Sequence, residues 1–216
     1  MRKNRQQILA LTELSVLTAI VLILQLGGIA LPLPFLATPV SLVLLPIALG
    51  AMKLGPGAGS FLGLVFGVIT VIGGVSGRDA FTAYLFADHP VLTVLLCLAK
   101  AVLAGLACGL VYRLLQKKNE YLAIYTASIV TPIVNTGIFV LGALAMSGTI
   151  DGYVSKLTAE VDPSFEGMTA FYFVVVVCAG LNFVFELLIN VLFAPALKRV
   201  LDIVTKNKKE SAGTRA

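Results

Sequence analysis

"LGPGAGSFLGLVFG", residues 54–67, places five glycines in fourteen positions, directly after Lys53. A glycine-rich loop beside a lysine is one way to cradle phosphate. That loop requires G-x-x-x-x-G-K-[ST], with the lysine after the glycines and a strand before them. Here the lysine comes first. The spacing points elsewhere: Gly55, Gly59, Gly63 and Gly67 recur every four residues. On a helix this is one continuous stripe without side chains. Such stripes let helices approach closely in lipid, where packing rather than hydrophobicity drives association. Ala101, Gly105 and Gly109 repeat the device further along. Lys53 then marks a turn on the cytoplasmic side of a membrane, with Gly55-Pro56-Gly57 as the turn itself.

The composition agrees. Of 216 residues, 58% are hydrophobic and only 12% charged, whereas soluble domains carry about a quarter charged residues. This balance places the chain in a bilayer. It reads as one transmembrane domain over residues 1–216, with apolar runs at roughly 8–30, 40–54, 57–75, 90–115, 121–146 and 169–201. A spanning helix needs about 20 apolar residues, and five runs satisfy this. The second is short and contains Pro46, which predicts a bent or incomplete crossing. The expected fold is an all-α integral membrane protein, a compact bundle of six transmembrane helices. The first run is too long for a cleavable signal peptide and lacks a small-residue cleavage site.

Basic residues set orientation through short loops. Arg2, Lys3 and Arg5 precede the first run, Lys53 separates the second and third, and Arg113, Lys117 and Lys118 separate the fourth and fifth. Lys198, Arg199, Lys206, Lys208, Lys209 and Arg215 lie at or after the end of the sixth. With six crossings all these clusters fall on one side, and both termini are cytoplasmic. The net charge of +5 then reflects topology and contact with lipid headgroups, not a nucleic-acid surface. Cys97, Cys108 and Cys178 lie in apolar runs without metal-ligand spacing and read as small packing residues.

Polar groups inside a membrane are costly and therefore candidate functional groups. The fourth run contains Lys100, the fifth Ser128, Thr131 and Asn135, and the sixth Asn182, Glu186 and Asn190. The last three are spaced by four and share one helix face. By rise per residue, Lys100, Asn135 and Asn182 lie about 15, 17 and 20 Å from the outer ends of their helices, near the middle of a hydrocarbon core about 30 Å thick. One cation with two amides suits a small polar solute, especially an anionic one. The competing reading is that these residues tie helices together, with Lys100 paired to Glu186. That structural reading is preferred here for Glu186 and Asn190. Two outer loops are candidate lids: the proline-rich Leu31-Pro32-Leu33-Pro34-Phe35, and Arg78 to His89. The candidate substrate-binding residues are Lys100, Asn135, Asn182, Thr131, Arg78 and Phe35. Gly74-Val75-Ser76-Gly77 matches the G-x-S-G of rhomboid proteases, but the only histidine, His89, is thirteen residues on in the same loop. A catalytic base is not placed there, and no His/Asp/Glu cluster suggests a metal. No enzymatic site, metal or cofactor is expected.

The combination resembles the substrate-binding S components of energy-coupling factor (ECF) vitamin transporters. The resemblance covers almost the whole chain. It rests on the basic-ended six-helix pattern without an ATPase motif, on "LPLPFLATPVSLVLLPIALGA" followed by "LGPGAGSFLGLVFG", on "TPIVNTGIFVLG" and on "GLNFVFELLINVLFAPAL". It implies a non-catalytic subunit of a bacterial cell membrane. Such a subunit binds one vitamin from outside and docks on a shared transmembrane subunit that carries two ATPases. Members dock through small residues on the first helix, typically Ala-x-x-x-Ala; Ser15 and Ala19 stand at that spacing here, with Thr12 one turn earlier. The chain is most similar to the pantothenate-specific members, and Lys100 with Asn135 and Asn182 suits a carboxylate with amide and hydroxyl groups. Folate, cobalamin and pyridoxine-type members share much of the pattern, and a stand-alone small-solute carrier remains the alternative outside the family.

Overall fold

Gly55 alone separates two helices. Its φ of 107° lies where a side chain is strained and glycine is not. It lets α2 (Leu44–Leu54) stop and α3 (Pro56–Val75) start at the next residue. Pro56 takes the first helical position, where a missing N–H costs nothing. The expected three-residue turn is therefore a one-residue turn, with Pro56 and Gly57 already helical. A Cβ on Gly55 would also fall 2.5 Å from a guanidinium nitrogen of Arg113, so this corner is closed over by the end of another helix.

The computed structural model describes residues 2–30 and 42–213, with side chains described for 6–27 and 42–203. The proline-rich loop and Phe35 lie outside the described residues. The remaining helices are α1 (Arg2–Ala30), α4 (Ala80–Asp88), α5 (Pro90–Leu115), α6 (Glu120–Leu144) and α7 (Ser147–Glu160). After a 3-10 turn at Pro163–Phe165 come α8 (Ala170–Tyr172), a π-helical segment Phe173–Gly180 and α9 (Leu181–Gly213). No strand occurs among the described residues.

Five helical stretches are long and apolar enough to cross a bilayer: Gln6–Gly27, Pro56–Val75, Pro90–Leu115, Glu120–Leu144 and Ala170–Ile203. With the shorter α2 they form a helical membrane bundle, a multi-pass protein. Its exterior is apolar: Leu114, Leu141 and Leu192 are each at least 73% exposed. In water this would be a liability, but in lipid it is the solvated surface.

The glycine stripe packs α3 against α5. A Cβ on Gly59 would meet the Gly105 carbonyl, one on Gly63 the Ala101 carbonyl, and one on Gly67 the Cys97 carbonyl. Gly109 faces Pro56 in the same way. As the α3 number rises its partner on α5 falls, so the two helices run antiparallel with backbones in contact. Lys53, Arg113 and Lys198 consequently share one end of the bundle. Two of them are paired: Lys53 with Glu13 of α1 at 3.0 Å, and Lys198 with Glu120 and Asp202 at 3.2 and 2.9 Å.

Several expected boundaries change. Pro46 sits in the first turn of α2, where its missing N–H is tolerated, and does not break it. At eleven residues, α2 spans about 16 Å at 1.5 Å per residue. The stretches 76–89 and 147–168, expected as outer loops, contain α4 and α7. Asp79 starts α4 by accepting from the Thr82 N–H at 3.2 Å, an N-cap. Ile150 and Val154, both buried, pin α7 to the bundle. The sixth run is not one uniform helix, because Phe173–Gly180 is π-helical.

Candidate functional site

Tight α3–α5 packing decides where Lys100 points. Ala101 and Cys97 are consumed by the glycine seam. Lys100, on a different face of α5, is half-buried between aromatic rings. Its ammonium lies 5.1 Å from the centre of the Phe139 ring and 6.0 Å from that of Phe66. Aromatic faces attract a cation but do not accept its three N–H donors as a carboxylate or carbonyl would. Among the described residues Lys100 forms no ion pair within 4.0 Å. The expected alternative, a Lys100–Glu186 pair, is not made.

Glu186 is instead held by amides. It is 1% exposed, and its two carboxylate oxygens accept from Asn135 Nδ2 at 3.5 Å and Asn182 Nδ2 at 3.3 Å. Asn190 Nδ2 donates to the Glu186 backbone carbonyl at 2.8 Å. The spacing of four along α9 stacks the three side chains on one face, and α6 brings Asn135 against it. The carbonyl oxygens of Asn135, Asn182 and Asn190, and the Ser128 hydroxyl, are buried and have no hydrogen-bond partner among the described residues. Buried polar atoms are rarely left so.

An aromatic wall continues from Phe139 toward the end opposite the basic clusters. The Phe81 ring lies 6.2 Å from Phe139 and 5.5 Å from Tyr153. Tyr84 lies 5.0 Å from Tyr153, and Phe173 lies 5.9 Å from it. These rings come from α4, α6, α7 and the π-helical segment. Two polar ties fix the wall: Thr149 of α7 donates to Asp88 of α4, and the Ala170 N–H donates to Asp151 at 2.8 Å. Burial pushes the Tyr153 phenol up from its ordinary range, and the nearby negative charge of Asp79 adds to this.

The sequence candidates thus fare differently. Asn135 and Asn182 meet at Glu186, and Lys100 lies against Phe139, one turn beyond Asn135 on α6. Thr131 is buried one turn away, but its hydroxyl donates to the Ala127 carbonyl at 2.8 Å. Arg78 is exposed just past the C-terminal end of α3, and its guanidinium makes no ion pair or hydrogen bond among the described residues. Phe35 is not among them. Glu186, read as structural from sequence, touches two of the candidates. Phe66, Phe139 and Tyr153 were not singled out; the hint for Phe139 was its place one turn after Asn135. The Ser76 hydroxyl donates to the Gly73 carbonyl at 3.1 Å, and His89 faces Asp88 at 3.6 Å. Those two are therefore not joined as nucleophile and base. Chemically, the centre offers one cation, several acceptors and an apolar wall.

On α1 the buried face is Leu17, Val21 and Gln25. Thr12, Ser15 and Ala19 lie on the exposed side. The two hydroxyls donate back to Ile8 and Leu11 carbonyls at 3.0 and 2.9 Å, which leaves a smooth strip.

Compared with known proteins, residues 9–198 match the profile of the family described as ECF transporter, substrate-specific component. No curated protein matches the chain.

Proposed function

The chain belongs to the substrate-specific components of ECF transporters, and we propose that its ligand is a small vitamin with one acidic group and several hydroxyl or amide groups, pantothenate fitting best. The coarser role follows from the family: a substrate-binding membrane subunit, not an enzyme, which works with a shared transmembrane component and ATPases. The observation that carries the finer reading is Lys100, a cation that has no acceptor among the described residues, beside amides whose carbonyl oxygens have no partner there either. An anionic group on Lys100 and ligand donors on Asn135 and Asn182 would satisfy all three. Thr131 would shape the floor, with Arg78 and Phe35 at the outer entrance.

In this reading the basic end faces the cytoplasm of a bacterial cell, both termini lie there, and the ligand enters from the aromatic end. Thr12, Ser15 and Ala19 form the strip on which the transmembrane partner docks. Their exposure supports this, because α1 packs internally through other residues.

Titration calorimetry of the detergent-purified protein against a vitamin panel tests the ligand. Saturable binding of pantothenate, weakened in Lys100→Met, is the expected result; tight binding of a vitamin without an acidic group would contradict it. The aromatic wall favours a second reading, a flat-ring vitamin of the folate or pyridoxine type stacked on Tyr84 and Tyr153. The same panel separates the two. Uptake without the ATPase module would instead favour a stand-alone carrier.

A further inference from the structure

Glu186 is buried, and each of its oxygens accepts one amide N–H, from Asn135 and from Asn182. A carboxylate can only accept. Ionised, Glu186 therefore holds both amides in one orientation, NH2 against the acid and C=O away from it. Both of those carbonyl oxygens are buried without a partner among the described residues, and Asn135 is 5% exposed. Among the described residues Lys100 supplies the one cation of the cluster, and it makes no ion pair with Glu186 within 4.0 Å. The cluster therefore presents one positive donor and two fixed neutral acceptors.

We propose that Glu186 is a positioning residue for ligand specificity: it locks Asn135 and Asn182 with their carbonyl oxygens toward the ligand, so the pocket selects acids that also carry hydroxyl or amide N–H donors. This rests on the reading of Lys100, Asn135 and Asn182 as the ligand pocket. A ligand with acceptors in place of donors would face two buried carbonyl oxygens, and each unmatched acceptor raises the cost of binding. Glutamine at position 186 has nearly the same shape but can donate. It would bond one asparagine carbonyl and turn that amide round, so that an NH2 faces the ligand.

The test compares wild type with Glu186→Gln, using pantothenate and pantothenate with both hydroxyls methylated as probes. In wild type the affinity ratio favours pantothenate, and in Glu186→Gln that ratio falls at least tenfold. A ligand-free arm follows the side-chain amide NMR signals of Asn135 and Asn182, assigned from single Asn→Asp variants. Both signals shift in Glu186→Gln. Unchanged signals, or an unchanged ratio, overturn the proposal. If Glu186→Gln does not fold, Asn182→Leu at its half-buried position removes one presented carbonyl, and the ratio must fall there too; an unchanged ratio again overturns the proposal. If wild type does not bind pantothenate yet the amide signals shift, the ligand reading fails while the positioning role of Glu186 stands.

Discussion

The Lys100 ammonium lies 5.1 Å from the centre of the Phe139 ring, and Asn135 stands one helical turn before that phenylalanine on α6. The contact joins the two halves of the candidate site, an amide–carboxylate cluster and an aromatic wall toward the end opposite the basic clusters. Phe139 belongs to both. A cation in this place is stabilised by ring faces while its N–H donors form no hydrogen bond or ion pair among the described residues.

Lys100→Met should therefore lower affinity for an anionic ligand about 10- to 100-fold, since a charge-assisted hydrogen bond contributes roughly 1.5–3 kcal/mol. Folding should survive, because the lysine holds no carboxylate. Calorimetry and a melting curve on the same preparation check both parts. Unchanged affinity would mean that Lys100 serves only to join α5 to the rings.

The α3–α5 seam predicts a sharp contrast between glycines. Gly63→Leu drives a side chain into the Ala101 carbonyl, and overpacking of this kind costs about 1–3 kcal/mol or more. Gly137, on the exposed side of α6, has nothing within 4 Å of a Cβ, so Gly137→Ala should be neutral or slightly stabilising. Thermal unfolding in detergent measures the difference. Equal melting temperatures would show that the stripe is not a packing surface.

Much of this fold was legible because its strongest signals are local. Apolar runs give the crossings, and a four-residue glycine spacing gives a helix seam. A second small-residue stripe, Ala101, Gly105 and Gly109, was legible as well, but that it packs on the first is seen only in the structure. The outer stretches were harder. The apolar period of α7 is short and diluted by Asp151, Lys156 and Glu160, and α4 has only nine residues. The π-helical segment leaves no trace in an apolar run such as "FVVVVCAG", because it is set by what packs on it. In the site, residue type and depth pointed to Lys100, Asn135 and Asn182. Whether Lys100 pairs with Glu186 depends on side-chain direction across three helices, which spacing along one chain does not contain.

Docking through α1 predicts a separation of functions. Ser15→Leu places a bulky group on the exposed strip without touching the buried face of Leu17 and Val21. Ligand binding by the isolated protein should be unchanged, while ATP-dependent uptake by the assembled transporter falls several-fold. Normal uptake would remove this strip from the docking role.

Tyr153 gives a pH dependence with a definite sign. Its folded-state pKa is raised, chiefly by burial, above an unfolded value of about 10. Its contribution is fully present below the unfolded value. Stability is lost as pH rises from there through the folded pKa, because the unfolded chain ionises first. Tyr153→Phe should flatten part of this alkaline fall and leave stability near neutrality little changed. Melting temperatures between pH 7 and the alkaline range, roughly one unit either side of the ordinary phenol value, provide the check.

Mass spectrometry of small molecules released from the purified protein reads the proposed ligand of Lys100 itself. Pantothenate, or another hydroxylated or amidic acid, should be found near one molecule per chain in wild type and be largely absent from Lys100→Met. A vitamin without an acidic group, or an acidic one retained equally by Lys100→Met, would rule out the assignment of a donor-bearing acid to Lys100.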